Sequence, residues 1–129
     1  MKKHLILAVA LVAAILSACS SDDGVMTKNG DTYIVNTTSI AADVIGFKGT
    51  TPLLVHIEND IVVKVEPLEN IETPRYFRDV EDSLLGVWIG MPVKEVAESD
   101  FDAVSGATFS SDAVIANVKR AVKYYIEHK

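Results

Sequence analysis

The stretch Leu53-Leu54-Val55-His56-Ile57-Glu58-Asn59-Asp60-Ile61-Val62-Val63-Lys64-Val65-Glu66 decides the fold. Leu53, Val55 and Ile57 alternate with Leu54, His56 and Glu58, and Ile61, Val63 and Val65 alternate with Val62, Lys64 and Glu66. A period of two marks strands with one buried face, because successive side chains leave a strand on opposite sides. Pairing Ile57 with Ile61 puts all six residues of the two apolar sets on one face. It leaves Glu58-Asn59-Asp60 as a three-residue loop in which Asn or Asp takes the left-handed position. The opposite face then carries His56 and Lys64. A lone histidine there is either a half-exposed surface residue or a proton donor to a bound group.

Outward from this hairpin, both flanks read as parts of one small domain. Upstream, Gly46-Phe47-Lys48-Gly49-Thr50-Thr51-Pro52 holds two glycines and a proline in seven residues and reads as a connecting turn. Ser39 to Val44 is a strand or one helical turn, and Thr32-Tyr33-Ile34-Val35-Asn36 is rich enough in β-formers to open the domain as a strand. Downstream, Thr73 is placed to cap a helix that begins at Pro74, a favoured proline position. Tyr76, Phe77 and Val80 form its apolar face, with Arg75, Arg78, Asp79 and Asp82 outside. Leu84, Leu85, Val87, Trp88 and Ile89 make an apolar patch ending at Gly90, where the single tryptophan reads as core, with stacking on a bound ring as the lesser alternative. Pro92 to Glu98 reads as a short helix, and Phe101 to Val104 as a strand. From Asp112, apolar residues recur at Val114, Val118, Val122, Tyr125 and Ile126, one face of a last helix that Ser110 or Ser111 can cap. These elements predict an α+β domain, a small antiparallel sheet packed by helices and ending in a C-terminal helix. No internal repeat is present.

The N-terminus carries an address. Lys2, Lys3 and His4 precede an uninterrupted apolar run, Leu5 to Leu16, too short for the ~20 residues that a membrane-spanning helix needs. The run closes with Leu16-Ser17-Ala18-Cys19, which resembles the bacterial lipobox, where cleavage precedes the cysteine and its thiol is lipidated. Residues 1–18 are thus expected to be a lipoprotein signal peptide. Residues 19–30 would be the lipidated Cys19 and a flexible Ser-, Asp- and Gly-rich tether, and 31–129 the folded domain. Cys19 is the single cysteine, so its lipidation leaves neither a disulfide nor a cysteine metal site. Loss of Lys2 and Lys3 makes a chain of net charge −6 more acidic by two. Such a chain is a poor nucleic-acid ligand, because phosphate contacts need Lys and Arg. It is repelled by anionic headgroups as well, which leaves the lipid as the membrane tether. The expected location is the extracytoplasmic side of a bacterial membrane, at the periplasm or the cell surface.

The segment before the last helix, Asp102-Ala103-Val104-Ser105-Gly106-Ala107-Thr108-Phe109-Ser110-Ser111, carries the chemistry. Ser105 to Thr108 is a small-residue turn leading into a helix start, where free N–H groups and the helix dipole favour an anion such as phosphate. From residue types alone, this stretch either binds an anion or simply turns the chain. Asp102-x-x-Ser105-Gly106-Ala107-Thr108 resembles the flavinylation motif of the FMN-binding domain family. That family includes the flavin-carrying subunits of the Rnf and sodium-pumping NADH:quinone reductase complexes. The resemblance runs from about Gly46 into the last helix. It implies that Thr108 bears FMN through a phosphoester made from FAD by a separate flavin transferase. It implies as well that Ser105, Gly106, Ala107 and Asp102 form the modified loop, Asp102 orienting it or being read by the transferase. Glu72-Thr73-Pro74 matches a family phrase that borders the flavin, although Arg75 stands where a glycine often follows. The Gly-rich phrase before the hairpin has a counterpart in the family too.

The resemblance thus implies a lipid-anchored electron-transfer protein whose partners are the transferase and membrane or extracytoplasmic redox proteins. Nothing in the chain resembles a nicotinamide fingerprint, a haem motif or a cysteine cluster, which favours a carrier over a self-sufficient oxidoreductase. Two alternatives stand beside it. One is a flavin-dependent reductase acting on a small substrate with His56, Tyr76 or Arg75 assisting. The other is a non-redox structural or ligand-binding lipoprotein.

Overall fold

The tight turn at Asn59-Asp60 sets the geometry of the sheet. In the computed structural model, which describes residues 24–129, both turn residues are left-handed, with φ of 54° and 62°. Glu58 pairs with Ile61 across them. This two-residue connection joins β3 (Leu53–Glu58) to β4 (Ile61–Pro67), in place of the expected three-residue loop. The register therefore moves by one: Val62 pairs with Ile57 and is fully buried, while Ile61 and Val63 turn outward. A β-bulge opposite His56 and Ile57 then inserts one extra residue, so that Val55 meets Val65 and the core face is regained. The inward residues of β4 are thus Val62 and Val65 rather than Ile61, Val63 and Val65.

Two further strands complete an antiparallel meander in the order β1-β2-β3-β4. β2 (Thr32–Asn36) forms as expected, and β1 (Met26–Asn29) pairs with it along its whole length. The stretch expected as tether up to Gly30 therefore contributes an edge strand, and Val25 just before it is buried in the core. The expected signal peptide and Cys19 lie outside the described residues. Ser39 to Val44 is a run of turns ending in coil.

Three helices cover the inner face: α1 (Pro74–Leu84), α2 (Val93–Glu98) and α3 (Thr108–His128). α1 begins at its proline as expected and buries Phe77, Val80 and Leu84, but Tyr76 stays at the surface and Thr73 makes no side-chain cap bond. Trp88 is fully buried, edge-on to Phe101 with ring centroids 5.5 Å apart, while Val87 and Ile89 of the same patch are exposed. Phe101 to Val104, expected as a strand, is irregular. Its Val104 N–H bonds the Ser111 hydroxyl at 3.0 Å instead of a neighbouring strand, and the hairpin end of β4 is bridged by Pro92.

α3 spans 21 residues and is fastened along its length. Near its middle, buried Asn117 accepts from the Thr37 hydroxyl (2.5 Å) and donates to the Ala113 carbonyl (2.8 Å). Thr37 Oγ1 in turn accepts the Leu53 N–H at 2.8 Å, which ties the helix to β3. A buried amide and hydroxyl each need such partners. Arg120 holds Asp43 and the Ile40 carbonyl, and near the C-terminus the Tyr125 hydroxyl donates to Asp60 at 2.6 Å.

Candidate functional site

Glu72 is the joint of the site. It follows Ile71 in the irregular segment before α1, and only 4% of its surface is exposed. Its carboxylate accepts the backbone N–H groups of Phe47 (2.6 Å), Lys48 (2.5 Å) and Gly49 (3.3 Å) and the Ser110 hydroxyl (2.6 Å). Burial works to raise its pKa, but the Ser110 hydroxyl and the three amides outweigh burial and hold the carboxyl below the ordinary glutamate range. One buried charge thus gathers three distant segments: the loop before β3, the approach to α1 and the first turn of α3. Gly46 fits this arrangement because a side chain there has no room. A Cβ would stand 2.2 Å from the Glu72 Oε1.

The start of α3 faces the same place. Gly106 is left-handed at φ +83°, a conformation glycine adopts without strain, and the turn it makes lets the helix begin at Thr108. This is four residues ahead of the start expected at Asp112. Ser110 and Ser111 are therefore buried inside the first turn and cap nothing; their hydroxyls serve Glu72 and the Val104 N–H. The cap position is Ala107, which has no side-chain acceptor to offer. The first intrahelical bond runs from the Ser111 N–H to the Ala107 carbonyl at 2.9 Å. Among the described residues, the amides of Thr108, Phe109 and Ser110 find no backbone acceptor and are left at the positive end of a long helix.

A cleft of about 320 Å³ opens onto this helix start, lined by Phe47, Thr73, Tyr76 and the run Gly106 to Ser110. Its size lies at the small end of the ~300–1,000 Å³ of ligand pockets. Three of its eight lining residues, Phe47, Tyr76 and Phe109, are aromatic. Phe47 and Phe109 stack with centroids 6.3 Å apart and planes 25° from parallel, and both remain more than half exposed, as Tyr76 nearly is.

Of the residues singled out from sequence, Thr108, Gly106, Ala107 and Thr73 line the cleft, and Glu72 bonds two further lining residues, Phe47 and Ser110. Thr108 is exposed as the first residue of α3, and Ser105 is exposed beside it without lining the cleft. Asp102 lies apart, in a separate hollow with Leu84, Val87 and Phe101, and bonds none of the loop amides among the described residues. His56, on the outer face of the sheet, lies 3.5 Å from Glu66, and neither it nor Arg75 lines the cleft. The hydroxyl of Ser110 and the ring of Phe47 were missed as site groups. A phenylalanine between two glycines in a turn was the available signal for Phe47.

Comparison with curated protein sequences and with solved structures gave no match. The model of one family, described as the FMN-binding domain, matches residues 46–123. That span begins at the glycine packed on Glu72, takes in every wall of the cleft and ends within α3. This chain belongs to the FMN-binding domain family.

Proposed function

We propose that this protein is an extracytoplasmic, lipid-anchored electron carrier that holds FMN covalently through the Thr108 hydroxyl. The observation that carries the reading is the position of Thr108, exposed on the first residue of α3 at the mouth of an aromatic cleft. The residues present suit FMN. Phe47, Tyr76 and Phe109 offer apolar ring surface to an isoalloxazine. The unsatisfied amides of Thr108, Phe109 and Ser110 favour a phosphate at the helix start. FMN, when bound, supplies exchange of one or two electrons with its partners.

Thr108 Oγ1 is the acceptor in the modification. Within the transferase it would form the new O–P bond to the FMN phosphate of FAD as the pyrophosphate bond broke, with AMP leaving and the hydroxyl proton passing to a base. Small neighbours at Ser105, Gly106 and Ala107 give the loop little bulk to obstruct entry into that second active site. Among the described residues, the cleft is lined by no Lys, Arg or His, and Tyr76 contributes a phenol hydroxyl there. The extracytoplasmic location and the membrane tether rest on the Cys19 motif, as does the choice of membrane or extracytoplasmic redox proteins as partners.

The test is intact mass under denaturing conditions, on protein starting at Ser20 and incubated with flavin transferase, FAD and Mg²⁺. One FMN on wild type and none on Thr108→Ala is the expected result. Folded wild type without added mass would overturn covalent attachment.

A further inference from the structure

The geometry points to Phe47 and Phe109 as the two walls between which the isoalloxazine ring lies, with Glu72 as the positioning residue that holds both walls to one reference point. This inference rests on the flavin reading above. The two rings come from different parts of the chain, one from the loop before β3 and the other from the second residue of α3. Both line the cleft, with ring planes only 25° from parallel, yet 57% of Phe47 and 66% of Phe109 stay exposed. Aromatic surface left bare at the mouth of a cleft is surface prepared for a ligand rather than for the core.

The spacing suits a third ring after a small adjustment. Two stacked carbon contacts of ~3.5–4.0 Å need about 7–8 Å between the outer rings. The present centroid distance of 6.3 Å is shorter than that, so the two rings part to admit a third. Phe109 is fixed to a long helix, whereas Phe47 rides on a loop closed by the Gly46 N–H to Gly49 carbonyl bond of 2.7 Å. The loop is the half that yields.

Glu72 limits how far it yields. Its Oε1 accepts both the Phe47 N–H and the hydroxyl of Ser110, the neighbour of Phe109, each at 2.6 Å. A single oxygen therefore holds the backbone of Phe47 and the side chain of Ser110, next to Phe109. Its Oε2 takes the next amides, Lys48 and Gly49, so the loop cannot rotate about one bond.

The test uses FMN-loaded wild type, Phe47→Ala, Phe47→Leu and Glu72→Gln, each shown by mass to carry FMN and by melting to be folded. Two properties are read: iodide quenching of the flavin fluorescence, and the proton NMR shifts of the isoalloxazine methyl groups. Phe47→Ala is expected to raise the quenching constant about threefold or more, as one aromatic cover is lost. Phe47→Leu keeps bulk but has no ring current, so the methyl resonances move downfield with little change in quenching. Glu72→Gln moves both properties in the same directions by less. Wild-type quenching and shifts in loaded Phe47→Ala and Phe47→Leu would overturn the clamp, and wild-type values in Glu72→Gln would remove Glu72 from it. Should Phe47→Ala not fold, Phe47→Leu decides. Should wild type take up no covalent FMN, covalent attachment fails separately, and the same measurements are made with free FMN. Protection lost in the Phe47 variants supports the clamp, and free-flavin values throughout overturn it.

Discussion

Gly46 and Glu72 are a matched pair, since the carboxylate occupies the space in which any other residue at position 46 would place its Cβ. Gly46→Ala should therefore push the loop off Glu72 and lower stability by about 1–3 kcal/mol, the usual penalty of overpacking. Urea unfolding measures the loss, and FMN titration should show weaker binding in step with it. Acid should act on the same joint. The folded-state pKa of Glu72 lies below the ordinary glutamate value of 4.5, so its contribution to stability is full above that value and is lost as pH falls through the folded value. Unfolding free energy followed from pH 6 downward should decline below about 4.5, and Glu72→Gln should flatten that part of the profile. Glu72 was legible only through the Glu-Thr-Pro phrase, and its four donors were not. They come from positions 23 to 38 residues away, so no local pattern records them.

The hairpin shows what alternation can and cannot reveal about an element. The existence of both strands was plain, because apolar residues recur at every second position of Leu53 to Ile57. Which face β4 buries was not, because Ile61, Val62 and Val63 are all β-branched and satisfy either register. Two left-handed residues at Asn59 and Asp60 chose the tight turn, and the bulge repaired the mismatch one turn of the pleat later. Val62→Ala is therefore expected to cost about 2 kcal/mol, while Val63→Ala, on the exposed side, stays within ~0.5 kcal/mol. Thermal or denaturant unfolding of the two variants separates the observed register from the simple alternating one, which requires the opposite order. The start of α3 was misread for a related reason. Serines are good caps in general, but Gly106 had already turned the chain, leaving Ser110 and Ser111 to side-chain duties inside the helix.

Across the whole molecule, α3 is a strut that joins the cleft at one end to the hairpin turn at the other, with the Asn117–Thr37 bond between them. Its far end titrates at high pH. Burial, reinforced by the bond to Asp60, pushes the Tyr125 hydroxyl up from 10.0 to about 12. The contribution is fully present below pH 10 and is lost as pH rises toward 12, where the unfolded chain ionises before the folded one. Alkaline unfolding of wild type should be steep across that interval, and Tyr125→Phe should be less pH-dependent there. The general architecture was legible because hydrophobic period and turn residues are local signals. The cleft was legible in outline through its motif and hidden in detail, since its walls are assembled by tertiary contacts. Those contacts have a kinetic meaning. Glu72 joins Phe47 to Ser110, residues on opposite sides of it in the chain, and both loops must be closed before the cleft has a floor. Local pieces such as the β3–β4 hairpin can form while this junction is still open, so the cleft belongs among the last parts of the protein to appear during folding. A bound flavin consequently reports a finished chain: recovery of its protection in a refolding experiment marks completion of the tertiary structure, after the far-ultraviolet signal of the strands and helices has returned.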